Sequence, residues 1–345
     1  MMFSRIQHRL SRTLRTLLTG NAQATQQRII PRLSAAEVQE AREFFPLEKF
    51  FIFGHARSGT TLLARLIRVH PDVHCNWQAH FFTRPPMLAG LTQDERVATW
   101  LARKSNRWNR GRDLTPVALR AVADFILERD ARRVGARVVG DKSPNVLTNG
   151  EAVRHMHALY PDAKLIYIVR DGRDTLLSHR FQNFIDGPQF LAPADLRIRD
   201  DFARDPAPYF AGQKSLFTPQ AFERMAAGWV RNVLETDRLA KDLYGDQYGS
   251  LRYEDLLQEP FDEISRLWAL LGVDPRGHQD AVFTEMSSNP DADWQQEKAG
   301  HLVAQLERGK RGSWRSLFTT QDKQRFNTVA GKLLVEWNYD LEMDG

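Results

Sequence analysis

With 345 residues, 42% of them hydrophobic and 26% charged, the chain can bury one large α/β core or two modest ones, and wholesale disorder is excluded. A single cysteine, Cys75, rules out an internal disulfide and any multi-cysteine metal cluster, and nothing points to an oxidising compartment. The net charge of +5 admits an anionic ligand. No basic run of the nucleic-acid-binding kind occurs, however, and no stretch reaches the ~18 apolar residues of a membrane-spanning helix. These features fit a cytoplasmic protein.

The first acidic residue is Glu37. Before it, Met2, Phe3, Ile6, Leu10, Leu14, Leu17 and Leu18 recur at helical spacing with Arg5, Arg9, Arg12 and Arg15 between them. Residues 1–45 therefore read as a basic amphipathic helix and linker. The helix lies either on an anionic membrane, giving peripheral contact through residues 1–20, or against the domain or a second subunit. Residues 46–345 read as a single domain. Phe50–Phe53 predicts a buried strand, and Leu62, Leu63, Leu66 and Ile67 a helix ended by His70-Pro71. Val138-Val139-Gly140 predicts another strand, 151–160 a helix, and Lys164–Val169 the clearest internal strand. Residues 186–218 carry Pro188, Pro193, Pro206 and Pro208 with little periodicity, and read as a surface insertion or lid. Phe222, Met225, Ala226, Trp229, Val230, Val233 and Leu234 form a helical stripe explained by core packing. A strand at 250–253 and a helix from Pro260 to Leu271, closed by Gly272, complete the pattern.

Between the first strand and its helix stands Gly54-His55-Ala56-Arg57-Ser58-Gly59-Thr60-Thr61. Two glycines five apart let backbone amides turn toward a phosphate at a helix N-terminus, and Thr60 and Thr61 add hydroxyl donors. A nucleotide triphosphatase loop would carry lysine after the second glycine; here Thr60 stands there, and the cation, Arg57, lies inside the loop. The alternation of strands and helices around this loop predicts an α/β, P-loop-like three-layer fold, a central parallel sheet flanked by helices. Arg170 leaves the internal strand with Ser178 eight residues on, a charged fork and a hydroxyl suited to a second phosphate at the carboxyl edge of the sheet. Late in the chain, Arg308-Gly309-Lys310-Arg311-Gly312-Ser313-Trp314-Arg315 offers four cations around two glycines, which read as an anion clamp or as an exposed basic loop.

Together the three segments resemble the sulfotransferases that use 3′-phosphoadenosine 5′-phosphosulfate (PAPS), most closely their tyrosylprotein and bacterial branches. The resemblance runs from about Phe50 to Thr319. It implies that Arg57, Ser58, Gly59, Thr60 and Thr61 hold the 5′-phosphosulfate and that Arg170 and Ser178 hold the 3′-phosphate. Arg308, Gly309, Lys310 and Arg311 would close over the nucleotide, with Glu307 where the family has arginine. Asp141-Lys142-Ser143-Pro144 is similar to a lysine-bearing element of bacterial and carbohydrate enzymes, and Arg252-Tyr253-Glu254-Asp255 to a strand end whose tyrosine, Tyr253, lies near the nucleotide.

The chemistry so implied is in-line transfer of a sulfuryl group to a hydroxyl or amine, with PAPS as co-substrate and no metal. Arg57 stabilises the leaving oxygen, helped by Lys142 and the Thr60 hydroxyl. The tyrosylprotein branch uses a glutamate as base where this chain has Gln78, and His80 is the replacement candidate. His55, His74 and Asp141 compete for that role, while Cys75 is a packing residue. A small-molecule kinase on a P-loop fold and a non-catalytic nucleotide-binding regulator stand as alternatives. The acceptor is a small molecule, lipid, carbohydrate or peptide rather than a nucleic acid. Phe81, Phe82, Phe181, Phe184 and Phe190 either line its pocket or pack the core.

Overall fold

The computed structural model describes residues 30–85, 87–288 and 312–341. The amphipathic helix expected within residues 1–20 lies outside these residues, as do Arg308, Gly309, Lys310 and Arg311. Five parallel strands form one sheet in the order β2-β3-β1-β4-β5: β1 (Glu48–Gly54), β2 (Val73–Trp77), β3 (Val138–Lys142), β4 (Lys164–Val169) and β5 (Tyr248–Arg252). The three-layer prediction is borne out. Phe51, Phe53, Leu165, Tyr167 and Val169 point into one core, and Phe50, Ile52, Ile166 and Ile168 into the other. An uninterrupted apolar run is thus two alternating stripes, each covered by its own helices.

On the first face lie α4 (Thr115–Ala131), α5 (Glu151–Leu159), α9 (Pro219–Tyr244) and α14 (Thr320–Glu336). On the second lie α2 (Thr60–Ile67), α11 (Pro260–Leu271) and α12 (Gln279–Ser287). The remaining helices are α1 (Ala35–Phe44), α3 (Glu95–Ala102), α6 (Gly172–Asp186), α7 (Pro193–Arg204), α8 (Ala207–Phe210), α10 (Tyr253–Gln258) and α13 (Trp314–Leu317).

Several expectations require amendment. Val73–Trp77, not anticipated as a strand, forms the edge strand β2. Residues 186–218 are largely helical: Pro193 opens α7, and Phe202, Tyr209, Leu216 and Phe217 are buried in the first core. Along α9, Phe222, Ala226, Trp229 and Val233 are buried, but Leu234 faces solvent. Phe81, Phe82, Phe181 and Phe184 pack the first core instead of lining a pocket, and Phe190 is exposed. Gly272 closes α11 in the left-handed conformation (φ 78°), as its position predicts.

At the amino end of the sheet, opposite the loop after β1, Lys49 is buried with its ammonium 2.7 Å from Glu128. Arg120, also buried, pairs with Asp124 and binds Asp162 through both terminal nitrogens. Every charge in this group has a partner, which is what burial of ions requires.

Candidate functional site

The sheet delivers three loops to its carboxyl edge. After β1 the chain turns through 55–59, where the Ser58 amide donates to the His55 carbonyl at 3.0 Å and Arg57 adopts φ 75°. Gly59 caps α2 at φ 88°. A Cβ there would lie 2.2 Å from the Tyr253 ring, and one on Gly54 would meet the Thr60 methyl at 2.7 Å and the Ile168 carbonyl at 2.8 Å. Both glycines are therefore demanded by close approach. The Ser58 side chain is fully buried, and its Oγ has no hydrogen-bond partner among the described residues. A buried hydroxyl in that condition lacks an acceptor or donor that a ligand would supply.

The second loop leaves β4. Arg170 is buried, donates to the Arg57 carbonyl at 3.3 Å and lies 4.9 Å from the Tyr253 ring centre. Asp171 caps α6 by accepting from the Arg173 amide, and it binds the Arg173 guanidinium. On the next turns of α6, Ser178 Oγ accepts a 3.1 Å hydrogen bond from Arg57 Nε. The loops after β1 and β4 are thus joined in both directions, backbone and side chain. Asp174, one turn earlier, accepts from the amides of Gly312 (2.6 Å) and Trp314 (3.2 Å), and burial pushes its carboxyl up to about 6. These bonds hold the described end of the late loop against the helix that carries Ser178.

The third loop follows β3. Lys142 is buried, pairs in register with Ile52 of β1 and donates to Thr61 Oγ1 at 3.2 Å. Its ammonium lies 4.9 Å from the centre of the Trp77 ring. Asp141 accepts from the Ala79 amide (3.0 Å) and the Ser143 hydroxyl (2.5 Å), while the Lys142 carbonyl accepts from the Gln78 amide (2.8 Å) and Ser143 Oγ from that of His80 (2.9 Å). Three successive amides are stapled to the end of β3, which holds Gln78 and His80 at φ 53° and 52°, values uncommon outside glycine.

His80 Nδ1 shares a 2.8 Å hydrogen bond with Thr83 Oγ1. Burial, aided by Arg84 and Lys142, lowers its pKa, so the imidazole is neutral near pH 7. Desolvation takes His55 down to about 4, and its Nδ1 is engaged by the Ala56 carbonyl. His74 projects from β2 toward the Asn76 side chain. Burial raises Asp141 to about 6 and drives the Cys75 thiol far above its ordinary range, consistent with a packing role for Cys75. Trp77, half exposed, and Asp174 carry no sequence signal of their own, and Ser143 is marked only as a neighbour of Lys142. Their parts in the site come from partners 60 to 140 positions away, which no local pattern records. Among the described residues no three His, Cys, Asp or Glu side chains gather in a way that could hold a metal ion.

A family model described as "Sulfotransferase family" matches residues 49–276, well over half of the chain. The chain is 26% identical over 323 residues to nodulation protein NoeE of Sinorhizobium fredii, an alignment covering 87% of this chain and 68% of that protein. It is 34% identical over 131 residues to the protein-tyrosine sulfotransferase of Drosophila melanogaster, covering 37% of this chain and 24% of the relative. Among solved structures it is similar to a sulfotransferase from Alicyclobacillus acidocaldarius, at 19% identity and a TM-score of 0.44 over 85% of this chain and 96% of that one.

Proposed function

The chain belongs to the sulfotransferase family, enzymes that move a sulfuryl group from PAPS to an acceptor, and from that premise we propose how its residues divide the reaction. Membership does not favour the kinase or regulatory readings. The loop 57–61 receives the 5′-phosphosulfate, and Arg170 with Ser178 receives the 3′-phosphate. The observation that supports this division is the pair of bonds joining the two loops, Arg57 Nε to Ser178 Oγ and Arg170 to the Arg57 carbonyl, which brings the residues proposed for the two anions together. The buried Ser58 hydroxyl, without a partner among the described residues, fits an anion seated against the backbone.

In the transfer, an acceptor oxygen or nitrogen attacks sulfur in line while the bond from sulfur to the bridging phosphate oxygen breaks. The electron pair of that bond stays on the departing adenosine 3′,5′-bisphosphate. Arg57, with Lys142, meets the charge that grows on the bridging oxygen, where a fixed cation counts most. His80 takes the proton of the acceptor, whose class is a hydroxyl or amine on a small molecule or a macromolecule.

Calorimetry tests the nucleotide site. The chain should bind adenosine 3′,5′-bisphosphate without magnesium and in preference to ATP–magnesium or 5′-AMP. Arg170→Ala should weaken that binding roughly 10- to 100-fold, the scale for losing one charged hydrogen-bonding group. Unchanged affinity removes Arg170 from the 3′-phosphate site.

The base is tested by pH. With the His80 pKa below its ordinary value, kcat/KM should stay high through pH 7 and fall only as acid protonates the imidazole. His80→Asn should cost about 10²–10⁴ in rate and abolish that acid limb. If the limb survives in the variant, another group is the base.

A further inference from the structure

The helix α3 and the loop after it carry a surface that includes none of the residues proposed for the transfer. Trp100 and Trp108 stack on one another, ring centres 4.9 Å apart and planes 25° from parallel, yet remain 59% and 51% exposed. From residue 94 to residue 113 there are six cations, Arg96, Arg103, Lys104, Arg107, Arg110 and Arg112, against three acids, Asp94, Glu95 and Asp113, which stand at the two ends and leave 96–112 purely cationic. All six are exposed, and among the described residues only Arg112 of the six forms ion pairs, with Glu37 and Glu40. Paired exposed indoles ringed by cations are costly to leave in water without a partner, since contiguous aromatic surface marks an interaction site.

We propose that this surface docks the protein on an anionic lipid bilayer. Charge complementarity calls for a polyanionic partner, and the remaining chemistry favours a membrane over an acidic polysaccharide. The amides that would read sugar hydroxyls are already engaged: Asn106 Nδ2 donates to the Trp100 carbonyl at 2.9 Å, and Asn109 is buried, bonded to the Leu101 carbonyl and the Gly111 amide. The mutual stacking also covers one face of each indole, which a sugar ring would need. What stays available is indole edge, guanidinium and aliphatic surface, including Val97 one helical turn before Trp100, and this is the composition of an interfacial anchor.

The test uses the full-length chain and sedimentation with vesicles of phosphatidylcholine, with and without 30% phosphatidylglycerol. Binding is expected only to the anionic vesicles and should weaken as salt rises. Arg103→Ala with Arg107→Ala should reduce partitioning roughly thirty-fold, the scale set by the usual contribution of each juxtamembrane cation. Trp100→Ala with Trp108→Ala should reduce it at least tenfold while leaving adenosine 3′,5′-bisphosphate binding intact, which verifies that the variants fold. Vesicle binding that both double variants retain overturns the proposal, because the attachment then lies elsewhere in the chain. Capture by heparin or RNA with no uptake by anionic vesicles overturns it as well.

Discussion

Arg57→Ala is expected to lower kcat by about 10²–10³ while changing the affinity for adenosine 3′,5′-bisphosphate far less. The side chain leaves a backbone at φ 75° and is steadied by Ser178, so its guanidinium is aimed before substrate arrives. Alanine at the same φ bears the same left-handed strain as arginine, and the substitution therefore isolates the side chain. Single-turnover kinetics beside calorimetry separate the two quantities. Near-normal turnover in a variant that still binds nucleotide refutes the assignment of Arg57 to the leaving oxygen. Arg57→Lys should fall between: it keeps a cation but loses the Nε–H that reaches Ser178.

Gly59→Ala should be the more disruptive change. The new Cβ meets the Tyr253 ring at 2.2 and 2.5 Å, and the φ of 88° adds about 1–2 kcal/mol for any L residue. Overpacking of a buried ring typically costs about 1–3 kcal/mol, so a loss of roughly 2–5 kcal/mol of stability is expected by urea denaturation. Because Tyr253 also packs on Arg170, relief by ring movement displaces the group proposed to hold the 3′-phosphate, and nucleotide affinity should drop with stability. Adding Tyr253→Ala should restore part of the stability of Gly59→Ala, since removing the ring removes the clash. A strictly additive double variant would mean that the two side chains do not compete for space.

Part of this arrangement is legible in the sequence. The turn after β1 can be foreseen because two glycines, a cation and two hydroxyls stand between a buried strand and a helix. Arg170 and Ser178 can be read because a strand end fixes one and helical spacing the other. Strand β2 is hidden because its alternation is carried by Val73 and Cys75 against His74 and Asn76, too polar a pattern to announce a strand. Arg120, Asp124 and Glu128 make the inner face of α4 look wet, and only Lys49 and Asp162, brought from other segments, explain their burial. Residues 186–218 look irregular because proline breaks a helix interior, whereas Pro193 occupies a first helical turn where its missing N–H costs nothing. The left-handed turns at Gln78 and His80 have no local signal at all: they are imposed by Asp141, Lys142 and Ser143, about 60 residues downstream.

The order of the strands sets how much each part of the site depends on the sheet. Arg57, Lys142 and Arg170 all hang from the interior trio β3-β1-β4, where every strand has two neighbours and a shifted register would disturb the whole sheet. The segment bearing His80 issues from β2, which is bonded to β3 alone. Substitutions beyond that outer strand should therefore disturb the sheet less than substitutions at the ends of β3, β1 and β4.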